Sequence, residues 1–484
     1  MLSPSLILVL AVALAYLAAH VAFDWLAKRF LLVSGVEYLL LGILLGPQVS
    51  GVLSTQTMAG FAPLIPLALG WIGAIVGTQF YLAALVRIPG LAYRLAFMEA
   101  LATAFVVAGL EAFVIAQLWG RDVSLVIVPA VALGAIAAVS APAGIEVVAR
   151  RIGGRREPIL RQLQVATAID ALVGIVTMGI LFCVYHPANG NTSRPITPTE
   201  WAVITIAIGV VGGALFHLFL GGETNPDRLF ISLAGAIILA SGAAAYLHLS
   251  PVLTSMIVGA TLINTSRSRD AITQTLARSE QPFYFVLLIF AGASWQPSVS
   301  AWWWELVLLF LGARVAAKIG SARLGARFND AIPTLGLDWG RALIGQGGLA
   351  LALALDYTRF QGALLQNVVF TAAIASVLVT DVAQARLLHG VMSRLLPGLV
   401  ARGEAAAAAE RSNGKNGDRD DNAARDLADD GTTSNDDTTL KDGAKQGEDG
   451  ARSQPIAGDG RASEPSGERF DGGHSREPSG TERG

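Results

Sequence analysis

The segment LQVATAIDALVGIVTMGILFCV, residues 163–184, is an apolar run with a single carboxylate, Asp170, within it. At about 1.5 Å per residue, a helix of this length crosses the roughly 30 Å hydrocarbon core of a bilayer. Arg161 is the last charge before the run, so Asp170 would lie about 14 Å deep. Because a charge at that depth is costly unless it is paired, hydrated or protonated, such residues mark routes for ions or protons. The stretch therefore predicts a membrane helix that carries a functional acid.

The rest of the sequence is also apolar: the chain of 484 residues is 53% hydrophobic and 15% charged, with a mean hydropathy of +0.53. This composition excludes a water-soluble protein and predicts an all-α polytopic membrane protein. No Cys/His metal spacing appears, and we expect no cofactor, no enzymatic activity and no nucleic-acid partner. Apolar runs between short polar breaks predict about 13 membrane segments, at residues 4–23, 34–53, 61–86, 94–119, 123–149, 161–186, 200–220, 228–247, 249–265, 282–297, 301–323, 338–357 and 363–389.

Lys and Arg residues concentrate at every second connection between these segments. The odd-numbered connections hold 19 of them, whereas the even-numbered connections hold 3, namely Arg121, Arg194 and Arg359. Positive residues accumulate on the cytoplasmic side of membrane proteins. We therefore expect the N-terminus outside, the C-terminal tail in the cytoplasm and a location in a bacterial inner (plasma) membrane.

Residues 403–484 differ in composition from the preceding chain. They hold 11 Lys+Arg against 19 Asp+Glu and a single aromatic residue, Phe470. A segment with so few apolar side chains cannot bury a core. The sequence thus predicts a membrane transporter domain at residues 1–402 and a disordered acidic cytoplasmic tail at residues 403–484.

Two apolar segments contain residues that interrupt helices, AAVSAPAG at 137–144 and IGQGGLA at 344–350. In the first, Pro142 lacks an amide hydrogen and clashes with the preceding turn, which breaks or kinks a helix. Either segment alone is open to a simpler interpretation, a kinked helix or close packing through small residues. Paired breaks in the two halves of a chain, however, indicate an inverted-repeat transporter with a site near the bilayer midplane.

The predicted eleventh segment carries Arg314 and Lys318, which lie four residues apart and hence on one helical face. Arg314 requires a carboxylate or a helix end as its partner, and Glu111 is a candidate, whereas Lys318 could extend to the interface. Asp381 is either a counterpart of Asp170 in the second repeat or a hydrogen-bonding group between helices. Three other acids are interpreted as interfacial: Glu37, Glu99 and Glu146.

In their order, these motifs resemble the monovalent cation:proton antiporter superfamily, closest to the branch of the Kef-type transporters and sodium-proton exchangers. The sequence GILLGP at 42–47 is similar to a signature of that family. The similarity extends over residues 10–390. Further motifs that match the family are Ser140-Ala141-Pro142 and Gln346-Gly347-Gly348 for its broken helices, Asp170 for its ion-binding aspartate, and Arg314 with Lys318 for its basic helix.

This resemblance implies an antiporter-like fold with inverted repeats and two broken, crossing helices, assembled as a homodimer. A mobile core would hold the fourth to sixth and eleventh to thirteenth segments. As a secondary active transporter, the protein would exchange Na⁺ or K⁺, with Li⁺ as a further candidate, for H⁺ by alternating access and support pH homeostasis. Asp170 would bind the metal ion and the proton in turn. The other implied site residues are Ser140 and Thr167 as oxygen ligands, Arg314 and Lys318 as compensating charges, and Glu111, Gln346 and Asp381 as secondary candidates.

One position in the motif departs from the family pattern. Ile169 stands where many members have Asn or Asp immediately before the ion-binding aspartate. A second acid would favour two protons per cation, so Ile169 favours one-for-one exchange.

Two other functions fit the sequence. A sodium-coupled carrier of small organic anions would use Arg314 to bind substrate, and a cavity far larger than a dehydrated ion would favour it. A non-transporting ion sensor or scaffold would signal through the acidic tail. A channel is the weakest alternative, because a lone acid between broken helices suits alternating access better.

Overall fold

The computed structural model describes residues 35–86, 90–119, 123–142, 144–146, 158–187, 196–220, 225–296, 301–327, 339–360 and 365–395. Within these ranges the regular secondary structure is helical and contains no strand, as predicted. The first predicted segment, 4–23, and the predicted acidic tail lie outside the described residues. The count of thirteen membrane segments therefore stays a prediction.

Helices cover each of the second to thirteenth predicted segments. The first seven are α1 Val36–Leu45, α2 Thr55–Phe61, α3 Leu64–Thr78, α4 Leu82–Leu85, α5 Gly90–Trp119, α6 Val123–Ala138 and α7 Pro158–Val184. The next seven are α8 Pro198–Leu220, α9 Pro226–Tyr246, α10 Pro251–Thr265, α11 Arg269–Ala293, α12 Ala301–Arg327, α13 Gly347–Thr358 and α14 Gln366–Leu395, with a 3₁₀ turn at Trp339–Leu343 before α13.

Proline at the first position fixes the start of several helices, since its ring presets a helical φ and its missing N–H has no helical partner there. Helices α7 to α10 all begin at a proline. At α9 the preceding Asn225 caps the helix by accepting from the backbone N–H groups of Asp227 and Arg228. At α10 Ser250 accepts from the N–H of Leu253. These caps explain why the short apolar segment near Pro251 forms a separate helix.

Five of the described helices are long and apolar enough to cross a membrane, and the pair α2 and α3, bent by 51°, adds a sixth span. Large apolar side chains remain exposed on the outer surfaces of these helices, such as Phe105, exposed by 71%, and Val203, exposed by 64%. In a membrane these side chains contact lipid, so their exposure carries no hydrophobic penalty. The chain is an integral membrane protein.

The helices pack in two groups. One contains α1, α3 and α8 to α11, and the other contains α5, α6, α7, α12, α13 and α14. In the first group α3 and α10 approach closely at Gly259, where a Cβ atom would lie 2.1 Å from the carbonyl oxygen of Ala74. Between the groups, the Ser250 hydroxyl donates to Asp356 Oδ2 over 2.5 Å. The second group contains the six segments that the sequence assigns to a mobile core.

Candidate functional site

Two interrupted helices meet inside the second group. Helix α6 ends at Ala138, and residues 139–141 leave the helical conformation. Opposite them, residues 344–346 separate the 3₁₀ turn from α13. The Ala141 N–H donates to the Gly345 carbonyl over 2.8 Å, and the Ser140 hydroxyl donates to the Leu343 carbonyl, also over 2.8 Å. The predicted pair of broken, crossing helices is confirmed, because backbone and side-chain hydrogen bonds join the two interrupted segments.

Small residues allow this close crossing. Gly347 adopts φ of 65°, a left-handed conformation that favours glycine. Gly345 faces the Gln384 amide so closely that a Cβ atom would lie 2.0 Å from Gln384 Cδ. Gln384 is buried, and its Nε2 donates to the carbonyl of Ala141 over 3.3 Å. The Gln384 side chain thus fills the space between the two breaks, a role that the sequence analysis did not predict.

Arg314 satisfies the carbonyl groups that the breaks leave without helical partners. Its Nε donates to Ala137 O over 3.1 Å, its Nη2 to Val139 O over 2.8 Å and its Nη1 to Ile344 O over 2.5 Å. A cation at the C-terminal end of a helix also interacts favourably with the helix dipole. Of the two kinds of partner expected for Arg314, a carboxylate or a helix end, the structure shows the helix end, because the three acceptors are carbonyls of both broken helices.

The candidate pairing of Glu111 with Arg314 is wrong. Glu111 is fully buried on α5, but its two carboxylate oxygens have no hydrogen-bond partner among the described residues. Depth along a helix does not determine which side of the helix a residue occupies. For this reason, the matching depths of the two residues were insufficient to predict a contact.

Lys318 forms the ionic centre of the site. Its Nζ lies 2.7 Å from Asp170 Oδ2 and 3.2 Å from Glu99 Oε2, and it donates to the Ala138 carbonyl over 2.8 Å. Lys318 and Asp170 are fully buried, and Glu99 is 1% exposed. The alternative that Lys318 extends to the interface is therefore wrong. Three helices, α7, α12 and α5, bring the three charges together beside the end of α6.

Glu99 is the site residue that the sequence analysis missed, because its position near the end of a predicted segment suggested an interfacial location. It faces inward instead, and Thr103, one turn later, donates to Glu99 Oε1 over 3.0 Å. A signal was present in the spacing: Glu99 and Thr103 are the two polar residues at i and i+4 in an otherwise apolar stretch. Such spacing places both side chains on one face of the helix.

Asp170 has one oxygen engaged and one available. Oδ2 accepts from Lys318, whereas Oδ1 is buried without a hydrogen-bond partner among the residues described. Thr167 donates to Gln164 O over 2.9 Å within α7, so neither its hydroxyl nor that of Ser140 donates to Asp170. Each hydroxyl oxygen keeps lone-pair capacity while it donates its hydrogen.

Gln346 and Asp381 organise the start of α13. Gln346 Nε2 donates to Ile136 O over 2.6 Å and so connects the second break to α6. Asp381 Oδ1 accepts from the N–H groups of Gln346 and Gly347 over 3.3 and 3.2 Å. A carboxylate at a helix N-terminus satisfies exposed N–H groups and complements the helix dipole. This contact agrees with the interpretation of Asp381 as a hydrogen-bonding group between helices.

A cavity of about 440 Å³ lies next to this site. Its wall includes Pro142 of the first break, and Thr167 and Ile169, which are close to Asp170 in sequence. Two carboxylate residues, Glu146 and Glu280, line it together with Arg161. The cavity thus provides a polar approach towards the segment that carries Asp170.

A family model described as "Sodium/hydrogen exchanger, transmembrane" matches residues 13–392. The chain belongs to the sodium/hydrogen exchanger family. This membership confirms the predicted relation to the monovalent cation:proton antiporters. It also confirms that the chain is a transporter and not an enzyme, with Na⁺ and H⁺ as the substrates that the family implies.

Solved structures support the exchanger fold. The chain resembles the sodium proton antiporter MjNhaP1 from Methanocaldococcus jannaschii at pH 8, with a TM-score of 0.61 and 15% identity over 82% of this chain and 100% of that chain. A three-dimensional electron-microscopy map of the same antiporter gives a TM-score of 0.55 and 15% identity over 81% of this chain and 97% of that one. At this identity the similarity establishes the fold alone. Among curated proteins, none matches the chain.

Proposed function

We propose that this exchanger transports a monovalent cation in exchange for H⁺ by alternating access, with Asp170 as the site that both ions share. The observation that supports this most strongly is the position of Asp170. It is fully buried, paired with Lys318 and adjacent to the interrupted end of α6. A buried acid next to irregular backbone at membrane depth is the arrangement expected of an ion-binding residue.

Competition at one carboxylate accounts for coupling. A dehydrated cation approaches Asp170, displaces the Lys318 ammonium from Oδ2 and binds through carboxylate oxygens, with Oδ1 already free of a hydrogen-bond partner among the described residues. The hydroxyls of Ser140 and Thr167 complete a set of hard oxygen ligands of the kind that Na⁺ and K⁺ prefer. A proton that binds Asp170 removes its charge and releases the cation.

The environment of Arg314 argues against a carrier of organic anions. Its guanidinium already donates to three carbonyls and is fully buried, so it offers no obvious contact to an anionic substrate. The cavity does exceed the size of a dehydrated ion. However, its lining contains two glutamates and a single arginine, a balance that favours cations over anions.

The proposal also covers the transported cation, the oligomeric state, the membrane and the side of the membrane that the cavity faces. We assign Na⁺ as the principal cation, with K⁺ and Li⁺ to be compared, and a homodimer in a bacterial plasma membrane. Arg161 belongs to the connection that the charge pattern assigns to the cytoplasm, and it lines the cavity. On this basis the cavity faces the cytoplasm, and the group formed by α5 to α7 and α12 to α14 moves relative to the other helices during transport.

Reconstitution in proteoliposomes tests the role of Asp170. With an imposed pH gradient, we expect the wild-type protein to exchange Na⁺ for H⁺ and Asp170→Asn to lose exchange while it remains folded. Asp227→Asn removes an exposed carboxylate at the start of α9 and serves as a matched control that retains exchange.

Full cation-dependent proton flux in Asp170→Asn would refute the assignment of the shared site. A wild-type protein that binds Na⁺ but does not turn over would instead support the sensor or scaffold function. Repeating the assay with K⁺ and Li⁺, and with the membrane potential clamped, determines the cation and the charge moved per cycle.

A further inference from the structure

Lys318 is the single ammonium between two carboxylates that come from different helices. Asp170 approaches it from α7 at 2.7 Å and Glu99 approaches it from α5 at 3.2 Å. Thr103, one turn later on α5, donates to Glu99 Oε1 and so orients the carboxylate, whose other oxygen contacts Lys318. Lys318 also keeps the Ala138 carbonyl as an acceptor.

Cation binding at Asp170 has a consequence for this lysine. When the cation replaces the ammonium at Asp170, Lys318 loses its shorter ion pair but remains fully buried. A buried charge whose only partner is removed is strongly unfavourable. The free energy of cation binding therefore depends on what remains to pair with Lys318, and Glu99 is the carboxylate within reach.

We propose that Glu99 is a positioning residue that retains Lys318 when Asp170 binds the cation. It acts through Lys318 and does not touch the transported ion, and the inference rests on the proposed function of Asp170. With Glu99 in place, the ammonium moves from two carboxylates to one, and Ala138 O remains its second acceptor. Without Glu99, the ammonium has Asp170 as its only carboxylate partner among the described residues, so it competes more strongly with the cation.

The inference predicts a specific change in transport kinetics. In proteoliposomes, Glu99→Gln should raise the KM for Na⁺ by about tenfold or more, while the maximal rate at saturating Na⁺ changes much less. Thr103→Val, which removes the hydroxyl that orients Glu99, should raise KM by a smaller factor. Asp227→Asn, an exposed acid remote in sequence from the site, should leave KM unchanged.

A variant without the lysine, Lys318→Gln, separates this mechanism from direct electrostatic attraction between Glu99 and the cation. Glu99→Gln is combined with Lys318→Gln and compared with Lys318→Gln alone. If Glu99 acts through Lys318, its removal has little further effect on KM once the lysine is absent. An equal increase in KM in both backgrounds would overturn the proposal, because it would show direct attraction of the cation by Glu99.

Folding and the role of Asp170 are monitored in the same experiments. Thermal unfolding in detergent identifies a variant that fails to fold, and for Glu99→Gln the Thr103→Val comparison then provides the milder test. Active Asp170→Asn would refute the proposed site itself. Inactive Asp170→Asn together with an unchanged KM in folded Glu99→Gln would refute only the role of Glu99.

Discussion

Replacement of Arg314 by methionine tests whether the guanidinium holds the two broken helices together. The change removes the charged donor to Ala137 O, Val139 O and Ile344 O and keeps a long side chain in the space. Since the three acceptors belong to both interrupted segments, we expect loss of stability at the crossing as well as loss of transport.

The magnitude follows from the three hydrogen bonds. A hydrogen bond to a charged group contributes about 1.5–3 kcal/mol, so three would total about 4.5–9 kcal/mol if nothing replaced them. Water that enters the break recovers part of this, and each buried carbonyl left without a donor costs about 1–3 kcal/mol. We therefore expect a loss of at least about 3 kcal/mol, which is more than a hundredfold in the folded-to-unfolded ratio at roughly 1.4 kcal/mol per factor of ten.

Thermal unfolding of the purified protein in detergent measures the effect. We expect Arg314→Met to unfold at least about 3 °C below the wild type. Arg278→Met changes an exposed arginine of α11 in the same way and is the matched control. An unfolding temperature for Arg314→Met equal to that of the control, together with normal Na⁺/H⁺ exchange, would refute the assigned role.

Two further substitutions test other parts of the site. Gly345→Ala should lower both stability and exchange, because the new Cβ would lie 2.0 Å from Gln384 Cδ and displace the amide that donates to Ala141 O. The double variant Gly345→Ala/Gln384→Ala should unfold at a higher temperature than Gly345→Ala. A lower or equal unfolding temperature would contradict the packing argument. Glu111→Gln should retain exchange and at least wild-type thermal stability, since no described residue hydrogen-bonds its carboxylate; complete loss of Na⁺-driven proton flux in a folded variant would show that Glu111 takes part in transport.

The sequence was sufficient to predict features that depend on chain order and chemistry alone. Pro142 and the glycines at 345, 347 and 348 indicated two breaks, and the structure confirms that both occur and that they cross. Likewise, the depth of Arg314 indicated that it requires a carboxylate or a helix end as its partner. In each case the cost of an unpaired polar group in a membrane restricts the possible structures to very few.

Features that depend on the rotation of one helix against another were not predictable in the same way. Helix α5 is apolar around most of its circumference, and although Glu99 and Thr103 share one face, the sequence does not show which helices that face packs against. The structure places Glu99 on Lys318 and leaves Glu111 without a hydrogen-bond partner among the described residues, the reverse of the sequence-based assignment. Only the packing of α5 against α12 and α7 decides which acid reaches the basic side chains.

Glu99 also bears on the transport stoichiometry that Ile169 favours. Along α7, Asp170 is the single acid. The ammonium of a lysine, however, interacts electrostatically with every carboxylate near it, whichever helix supplies the group. Because Glu99 lies 3.2 Å from Lys318, the site contains a second acid from another helix, although Ile169 supplies none. The charge moved per cycle must then depend on whether Glu99 or Lys318 changes its protonation state during transport, which measurements under a clamped potential on the wild type and Glu99→Gln would determine.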